Sequence, residues 1–171
     1  MEGKDVSESR DGSDGRRRVR VHTWFGDMII TANENAVCAI QSASAEDGTV
    51  PNYVADELLM RAAQQMQEYF EGKRIEFTFP MEPQGTAFQR AVWDKLREIP
   101  CGVTATYGQI AAAVGNPKAA RAVGTACNRN PIWIAVPCHR VVGSDGALVG
   151  YAQGIDMKRA LLELEARHKE K

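Results

Sequence analysis

Short apolar, β-prone runs separated by turn-forming residues dominate the first third of the chain. The runs are Val19–Phe25, Met28–Ala32 and Ala36–Gln41. The breaks between them, Gly26-Asp27 and Asn33-Glu34-Asn35, favour hairpin turns, because these residue types accept the backbone angles that such turns need. This spacing predicts a small antiparallel sheet.

A helical period replaces the strand pattern after residue 51. From Asn52 to Phe70 apolar residues recur every three or four positions, which predicts an amphipathic helix that Gly72 ends. Its apolar face comprises Val54, Leu58, Leu59, Ala62, Met66 and Phe70. Ile75–Phe79 predicts one further strand. Residues 19–79 are therefore expected to form a small α/β domain, in which an antiparallel sheet packs with one helix.

Proline and glycine interrupt the pattern at residues 80–85, which predicts a linker. A mostly α-helical domain is expected over residues 86–171. Thr86 is the expected N-cap of its first helix, which ends at Ile99 before a proline. Three more helices are predicted at Tyr107–Val114, Lys118–Asn128 and Asp156–His168. A turn at Gly115-Asn116-Pro117 joins the two short helices, and this pattern is typical of a helix-turn-helix.

Composition limits the class of protein. With 171 residues, 44% of them hydrophobic, the chain can form one ordinary domain or two small ones that share a core. Residues 1–18 contain almost no apolar side chains, and we expect a disordered tail there, with Arg16 to Arg18 solvated. No apolar run is long enough to span a membrane, and no export signal opens the chain. These features predict a cytoplasmic protein, or a nuclear one in a eukaryote.

The cysteines and histidines give little support for a metal site. There are four cysteines, none in a CxxC pair, and we expect reduced thiols. His22 and Cys38 lie in the first half, but two isolated residues are weak evidence for a metal, so both are interpreted as structural. No metal and no cofactor are expected.

Charge is distributed unevenly along the chain. The formal net charge is −1, yet no acidic residue occurs in the 46 positions between Glu98 and Asp145. That stretch carries a charge of +4, from Lys118, Arg121, Arg129 and Arg140. A local basic region in a mildly acidic protein favours phosphate binding. The alternative at this stage is an unremarkable surface.

The helix after the turn is almost bare. Residues 119–126 are Ala, Val, Gly and Thr apart from Arg121. Readers of the major groove present several long polar side chains, whereas a bare helix lets its backbone approach the phosphates from the minor groove. Arg121 is then the one side chain able to enter the base stack. Tight packing inside the protein would produce the same composition.

An apolar run, Ile132–Val136, leads into Pro137-Cys138-His139-Arg140. A thiol becomes a good nucleophile as its thiolate, and a neighbouring histidine can accept the proton, directly or through water. Taken by itself, a Cys-His pair is explained more simply by a buried, inert cysteine.

The sequence around Cys138, followed by Val141-Val142-Gly143, closely resembles the active site of the O6-alkylguanine-DNA alkyltransferases, also called methylated-DNA–protein-cysteine methyltransferases. The resemblance extends from about Thr86 to Ala166. Its other motifs are Tyr107-Gly108-Gln109, Gly115-Asn116-Pro117, Ala119-Ala120-Arg121-Ala122-Val123-Gly124, Asn130-Pro131, Gly150-Tyr151 and Lys158-Arg159-Ala160-Leu161-Leu162-Glu163-Leu164-Glu165. So many motifs in the family's order make the match specific.

The resemblance implies roles in the reaction. Cys138 is the alkyl acceptor, His139 deprotonates it through a water, and Glu165 orients His139. Tyr107 helps to rotate the target phosphate and protonates the leaving guanine. Arg121 fills the gap left by the extruded base.

It also implies binding roles. Asn130 ties the helix-turn-helix to the active-site loop. The base pocket is formed by Tyr151, Trp133 and the backbone at Cys138, Val141 and Ala152. Trp133 occupies a position where some relatives carry proline, and its bulk is hypothesised to exclude benzyl-sized groups. Contacts with DNA are expected at Tyr107, Gly108, Asn116, Arg121 and Ser144.

The function implied by the resemblance is DNA repair by direct damage reversal. A monomer would bind duplex DNA containing O6-alkylguanine, flip the base through the minor groove, and transfer the alkyl group once to Cys138, as a suicide methyltransferase without a cofactor or membrane. Three alternatives stay open. A lesion sensor would lack the acceptor thiol, a transcription regulator would need base-reading side chains, and a Cys-His hydrolase would need an oxyanion hole.

Overall fold

A computed structural model describes residues 15–169 of the chain. Its first half contains strands β1 (Arg17–Thr23), β2 (Gly26–Ala32) and β3 (Val37–Ser42), which form an antiparallel sheet in the order β1-β2-β3. Helix α1 (Glu57–Phe70) packs on this sheet. The expected small α/β fold is confirmed.

Alternation along β1 explains which face of the sheet is covered. Val19 and Val21 are buried opposite Ile30 and Met28 of β2. Arg18 and Arg20, which alternate with these valines, lie on the other face, because successive side chains of a strand point to opposite sides. The buried face of α1 covers this apolar face.

Three predicted boundaries in this half are wrong. Strand β1 begins at Arg17, inside the expected tail, where Arg17 pairs with Asp56, and it ends at Thr23 and not at Phe25. Residues 1–14 of that tail lie outside the described residues. Helix α1 begins at Glu57 and not at Asn52, because the Asp56 side chain caps it and the preceding residues follow the edge of β1, where Pro51 O accepts from Arg20 N.

Ile75–Phe79 forms no strand, which corrects the fourth expectation. The segment is fixed to α1 instead, since the Gln65 side chain bonds both the backbone N–H and the hydroxyl of Thr78, at 2.9 and 2.6 Å. The chain reaches the sheet only afterwards, in a bridge between Val37 and Met81.

The second half is mostly helical, as expected. Its elements are α2 (Ala87–Arg97), β4 (Ala105–Thr106), α3 (Tyr107–Ala113), α4 (Ala120–Asn128), β5 (Val141–Val142) and α5 (Ile155–Lys169). Thr86 caps α2 as predicted. Helix α4 begins two residues later than predicted because a turn from Asn116 to Ala119 precedes it.

Contacts between the helices, and between the two halves of the chain, fix the position of the segment around Cys138. The indole of Trp93 on α2 donates to Ala126 O at 2.9 Å, which holds α2 against α4. The edge of β3 pairs with the chain before Cys138, because Ile40 N donates to Pro131 O and Trp133 N donates to Ile40 O. The unpredicted parallel pair β4–β5 places the start of α3 beside the chain after Cys138.

Within residues 15–169, no helix combines the length and apolar character that crossing a membrane requires.

Candidate active site

Residues Pro137–Arg140, here called the reactive turn, form a short 3₁₀ turn around Cys138. Asn130 holds the approach to it from both sides. Its Nδ2 donates to Val136 O at 2.8 Å and lies 3.4 Å from Cys138 Sγ, and its Oδ1 accepts from Ile132 N at 3.0 Å. Asn130 therefore bonds the chain just after α4 to the loop that leads to Cys138.

Ile134 shows that this approach is strained. It is buried and has a φ of 72°, while Ala135 N donates to Trp133 O at 2.8 Å across a γ-turn. A β-branched residue in the left-handed region typically costs about 1–3 kcal/mol and persists only where the surroundings determine it. Here the pairing with β3 and the Asn130 bonds determine it.

Cys138 is 5% exposed, so its thiol lies inside the protein. Burial raises the pKa of this thiol, although the Asn130 hydrogen bond and the Lys158 charge partly oppose the effect. The resting group at neutral pH is therefore the protonated thiol, and a base is needed to make it nucleophilic.

His139, the next residue in the chain, carries a group that can serve as such a base. Its Nε2 lies 2.7 Å from Glu165 Oε1, and both side chains are fully buried. Burial lowers the pKa of His139, and Glu165 opposes this only in part. The ring is then neutral, and because the carboxylate can only accept, the ring proton lies on Nε2. Nδ1 is left as an acceptor, and it is buried without a hydrogen bond to any described group.

Glu165 is the centre of a larger group that we call the carboxylate cluster, formed by Tyr69, Gly102, His139, Arg140 and Glu165. The Arg140 guanidinium bonds both carboxylate oxygens at 2.9 Å, Tyr69 donates its hydroxyl at 2.7 Å and Gly102 its N–H at 3.3 Å. Burial by itself would raise the pKa of Glu165, but His139 and Arg140 outweigh it and hold that pKa well below its usual range.

The cluster changes the expected basic surface. Arg140 is buried, paired with Glu165, and donates to Ile99 O. Of the four positive charges between Glu98 and Asp145, three therefore face solvent. They belong to Lys118, Arg121 and Arg129.

Lys158 is a site residue to which the sequence reasoning assigned no role, although it begins the last matched motif. It is fully buried, and its Nζ donates to Val141 O at 2.5 Å and Val149 O at 2.9 Å. Within residues 15–169 no carboxylate forms an ion pair with it. Burial lowers the pKa of Lys158, while negative charge on Cys138 would raise it. Its ammonium thus places a positive charge near the Cys138 thiol.

The expected pocket residues lie around the same loop. Tyr107, the first residue of α3, donates its hydroxyl to Val149 O at 2.9 Å. Burial and the nearby thiols raise the pKa of Tyr107 to about 12, so it remains a donor. Tyr151 is buried near Cys138, and its hydroxyl makes no hydrogen bond to a described residue. Of the others, Val141 is buried, Trp133 is half-buried and Ala152 is exposed.

The expected DNA contacts lie on the surface. Gly108, Asn116, Arg121 and Ser144 are all exposed. Helix α4 buries Val123, Ala126 and Cys127, and turns Arg121 outward. Packing inside the protein therefore explains the small residues on the buried face of α4, and DNA contact by its exposed face stays a prediction.

Among the described residues, no three histidine, cysteine, aspartate or glutamate side chains are grouped so that they could hold a metal.

Fold and site together define a class: a small α/β domain joined to a helix-turn-helix domain, built around a buried cysteine and a histidine–glutamate pair. Comparison with known families identifies the class further. The family described as 6-O-methylguanine DNA methyltransferase matches twice, through its DNA binding domain at residues 87–167 and its ribonuclease-like domain at residues 21–83.

Similar proteins agree. A methylated-DNA–protein-cysteine methyltransferase of Methanosarcina acetivorans is 54% identical over 110 residues, covering 64% of this chain and 70% of that protein. The constitutive enzyme of that name from Bacillus subtilis is 45% identical over 151 residues, covering 84% and 91%. The crystal structure of Mycobacterium tuberculosis OGT in complex with DNA has a TM-score of 0.79 at 38% identity, covering 88% and 93%.

The chain therefore belongs to the 6-O-methylguanine DNA methyltransferase family, and the resemblance noted in its sequence is confirmed.

Proposed function

We propose that the chain repairs alkylated DNA by transferring an alkyl group from O6 of guanine in duplex DNA to Sγ of Cys138. The observation that carries the proposal is the buried thiol beside a neutral histidine whose Nδ1 is a free acceptor and whose Nε2 is bonded to Glu165. The activity in the names of the similar Methanosarcina and Bacillus proteins supports the same reaction.

In this reaction the thiol proton passes through a water to His139 Nδ1. The sulfur lone pair attacks the alkyl carbon in line, the bond from that carbon to O6 breaks, and its electrons remain on the guanine. Tyr107 supplies a proton to the leaving guanine. Its hydroxyl is donated to Val149 O, so binding of the base requires this hydroxyl to change its acceptor.

Because Cys138 is buried, a stacked base cannot reach it, and we propose that the target nucleotide is flipped out through the minor groove. Arg121 fills the gap in the stack. The exposed cations of the helix-turn-helix contact phosphates, with Gly108, Asn116 and Ser144 as further contacts. The DNA in the complex of the similar Mycobacterium tuberculosis protein supports DNA as the partner.

The product is a thioether, from which the protein has no route back to the thiol. The chain is then a suicide methyltransferase that acts once, as a monomer and without a cofactor, in the cytoplasm or the nucleus. We propose functional units at residues 19–79 and 86–171, joined by 80–85.

Intact-protein mass spectrometry after incubation with a duplex containing O6-methylguanine tests the proposal. We expect a stoichiometric gain of one methyl group on Cys138, absent in Cys138→Ser and retained in the control Cys38→Ala, whose thiol lies in β3. Tight binding to the lesion without a gain in mass would replace the transferase with a lesion sensor.

A further inference from the structure

Tyr69 connects the first half of the chain to the reaction site. It lies near the end of α1, 96 positions before Glu165, and it is 1% exposed. Its hydroxyl donates to Glu165 Oε1 at 2.7 Å, the same oxygen that lies 2.7 Å from His139 Nε2. Two hydrogen bonds that share this one oxygen therefore connect Tyr69 to His139.

The carboxylate oxygen that faces His139 has three partners. Oε1 accepts from the Tyr69 hydroxyl and Arg140 Nη2 as well as from the imidazole. Arg140 and His139 both come from the reactive turn, so they move with it. Tyr69 comes from another element, and it fixes the carboxylate from the opposite end of the sequence.

We propose that Tyr69 is a positioning residue for the alkyl transfer, whose hydroxyl fixes the Glu165 carboxylate and thereby sets the orientation and basicity of His139. The inference rests on the proposed function for the reaction that His139 assists. The effect on His139 itself does not depend on that function.

The direction of the effect follows from the groups that face Glu165 and His139. They are Tyr69 from α1, Cys101 and the Gly102 N–H from the turn after α2, Arg140 from the reactive turn, Tyr151 from the loop before α5, and Lys158 from α5. A donor to an ionised carboxylate spreads its charge, so loss of the Tyr69 hydroxyl makes Glu165 a stronger acceptor. That stabilises the imidazolium and raises the pKa of His139.

Tyr69 is suited to remain a donor throughout. Burial, and then the charge of Glu165, raise its own pKa well above the usual value. A purely structural role would be different: the ring packs against Phe70 and Phe77 in the core, and phenylalanine would preserve those contacts.

The test compares Tyr69→Phe with the control Tyr53→Phe, which removes a hydroxyl from a side chain that is 70% exposed. The pKa of His139 is read from ¹⁵N-histidine NMR between pH 4.5 and 8, and the single-turnover rate of methyl transfer is measured over the same range. Loss of a hydrogen bond to a charged group typically moves the pKa of the group coupled to it by about one unit. For His139 the pKa rises, which lowers the transfer rate about tenfold on the acid limb of the pH profile, where His139 is protonated. We expect this change in Tyr69→Phe, with duplex affinity unchanged, and no change in Tyr53→Phe.

A second variant guards against a folding defect. Site-specific 3,5-difluorotyrosine at position 69 keeps the ring and the hydroxyl but strengthens the donor, so the pKa of His139 should fall. Unchanged pKa and rate profiles in both variants would overturn the proposal, even if thermal stability fell. If the wild-type chain transfers no methyl group while the pKa of His139 still responds, the proposed function fails, and only the effect of Tyr69 on the pKa of His139 stands.

Discussion

Replacement of Lys158 tests whether its charge or its hydrogen bonds matter to the site. In Lys158→Met a flexible apolar chain of similar length replaces the buried ammonium. In Lys158→Gln a neutral donor remains for the carbonyls of Val141 and Val149. We expect both variants to slow methyl transfer to a similar extent, because each removes the positive charge beside Cys138.

The expected magnitude follows from the environment. Because the charge of Lys158 lowers the pKa of Cys138, and a nearby opposite charge typically does so by about one unit or more, the thiolate fraction of Cys138 should fall at least about tenfold. Stability should respond less. Lys158→Met leaves Val141 O without this donor, at about 1–3 kcal/mol, but it also removes a buried charge that has no anionic partner in the described residues. These terms oppose each other.

Single-turnover kinetics on O6-methylguanine duplex give the rate. The absorbance of the thiolate against pH, with Cys138→Ser subtracted, gives the pKa of Cys138. A normal rate in Lys158→Gln, with loss in Lys158→Met alone, would refute the electrostatic argument and leave Lys158 as a clamp on the loop.

Three further predictions concern separate parts of the site. Glu165→Gln should lower the free energy of unfolding at pH 7 by about 3–5 kcal/mol, because Arg140 is left buried without its counter-charge. Since the pKa of Glu165 is depressed in the folded state, its contribution to stability is complete above the ordinary value of 4.5 and is lost as the pH falls through the folded value. Urea denaturation at pH 7 and 3.5 should therefore show a smaller stability difference between the wild type and Glu165→Gln at the lower pH. An equal difference at both pH values would contradict the depressed pKa of Glu165. Trp133→Ala should react faster with O6-benzylguanine, while its rate with O6-methylguanine stays unchanged, and competition between the two substrates measures the ratio of these rates. No gain in the rate with O6-benzylguanine would show that the indole does not limit alkyl size. Arg121→Ala should slow transfer from duplex DNA about tenfold or more, because unstacking the base costs a few kcal/mol that Arg121 helps to offset. The control Arg129→Ala, at another exposed arginine, should lose only salt-dependent affinity. Equal losses of rate in the two variants would show that Arg121 is only a phosphate contact.

Local signals in the sequence located most helices and the chemical centre. Thr86 was predictable as a cap because the capping box is encoded within four residues. Cys138 and His139 were found through a contiguous motif, and Glu165 through the spacing that the family resemblance supplied. In the structure His139 Nε2 lies 2.7 Å from Glu165 Oε1.

Features that depend on distant partners could not be predicted. Ile75–Phe79 has strand composition, but Gln65 fixes it to a helix by side-chain bonds that no periodicity reveals. Lys158 reads as an ordinary polar position of α5, and only the packed loop shows that its ammonium is buried. Tyr69 was not part of the apolar face predicted for α1, yet it is buried, and its hydroxyl bonds a residue 96 positions away.

The pairing of β3 with the chain before Cys138 also covers an edge of the sheet. An exposed strand edge is a template for another strand, and native proteins cover or interrupt such edges. Here prolines begin each cover: Pro51 accepts from β1, while Pro80 and Pro131 accept from β3. A change in the protein that displaced the chain before Cys138 would uncover part of the edge of β3. Loss of the site and a tendency to aggregate should therefore arise together.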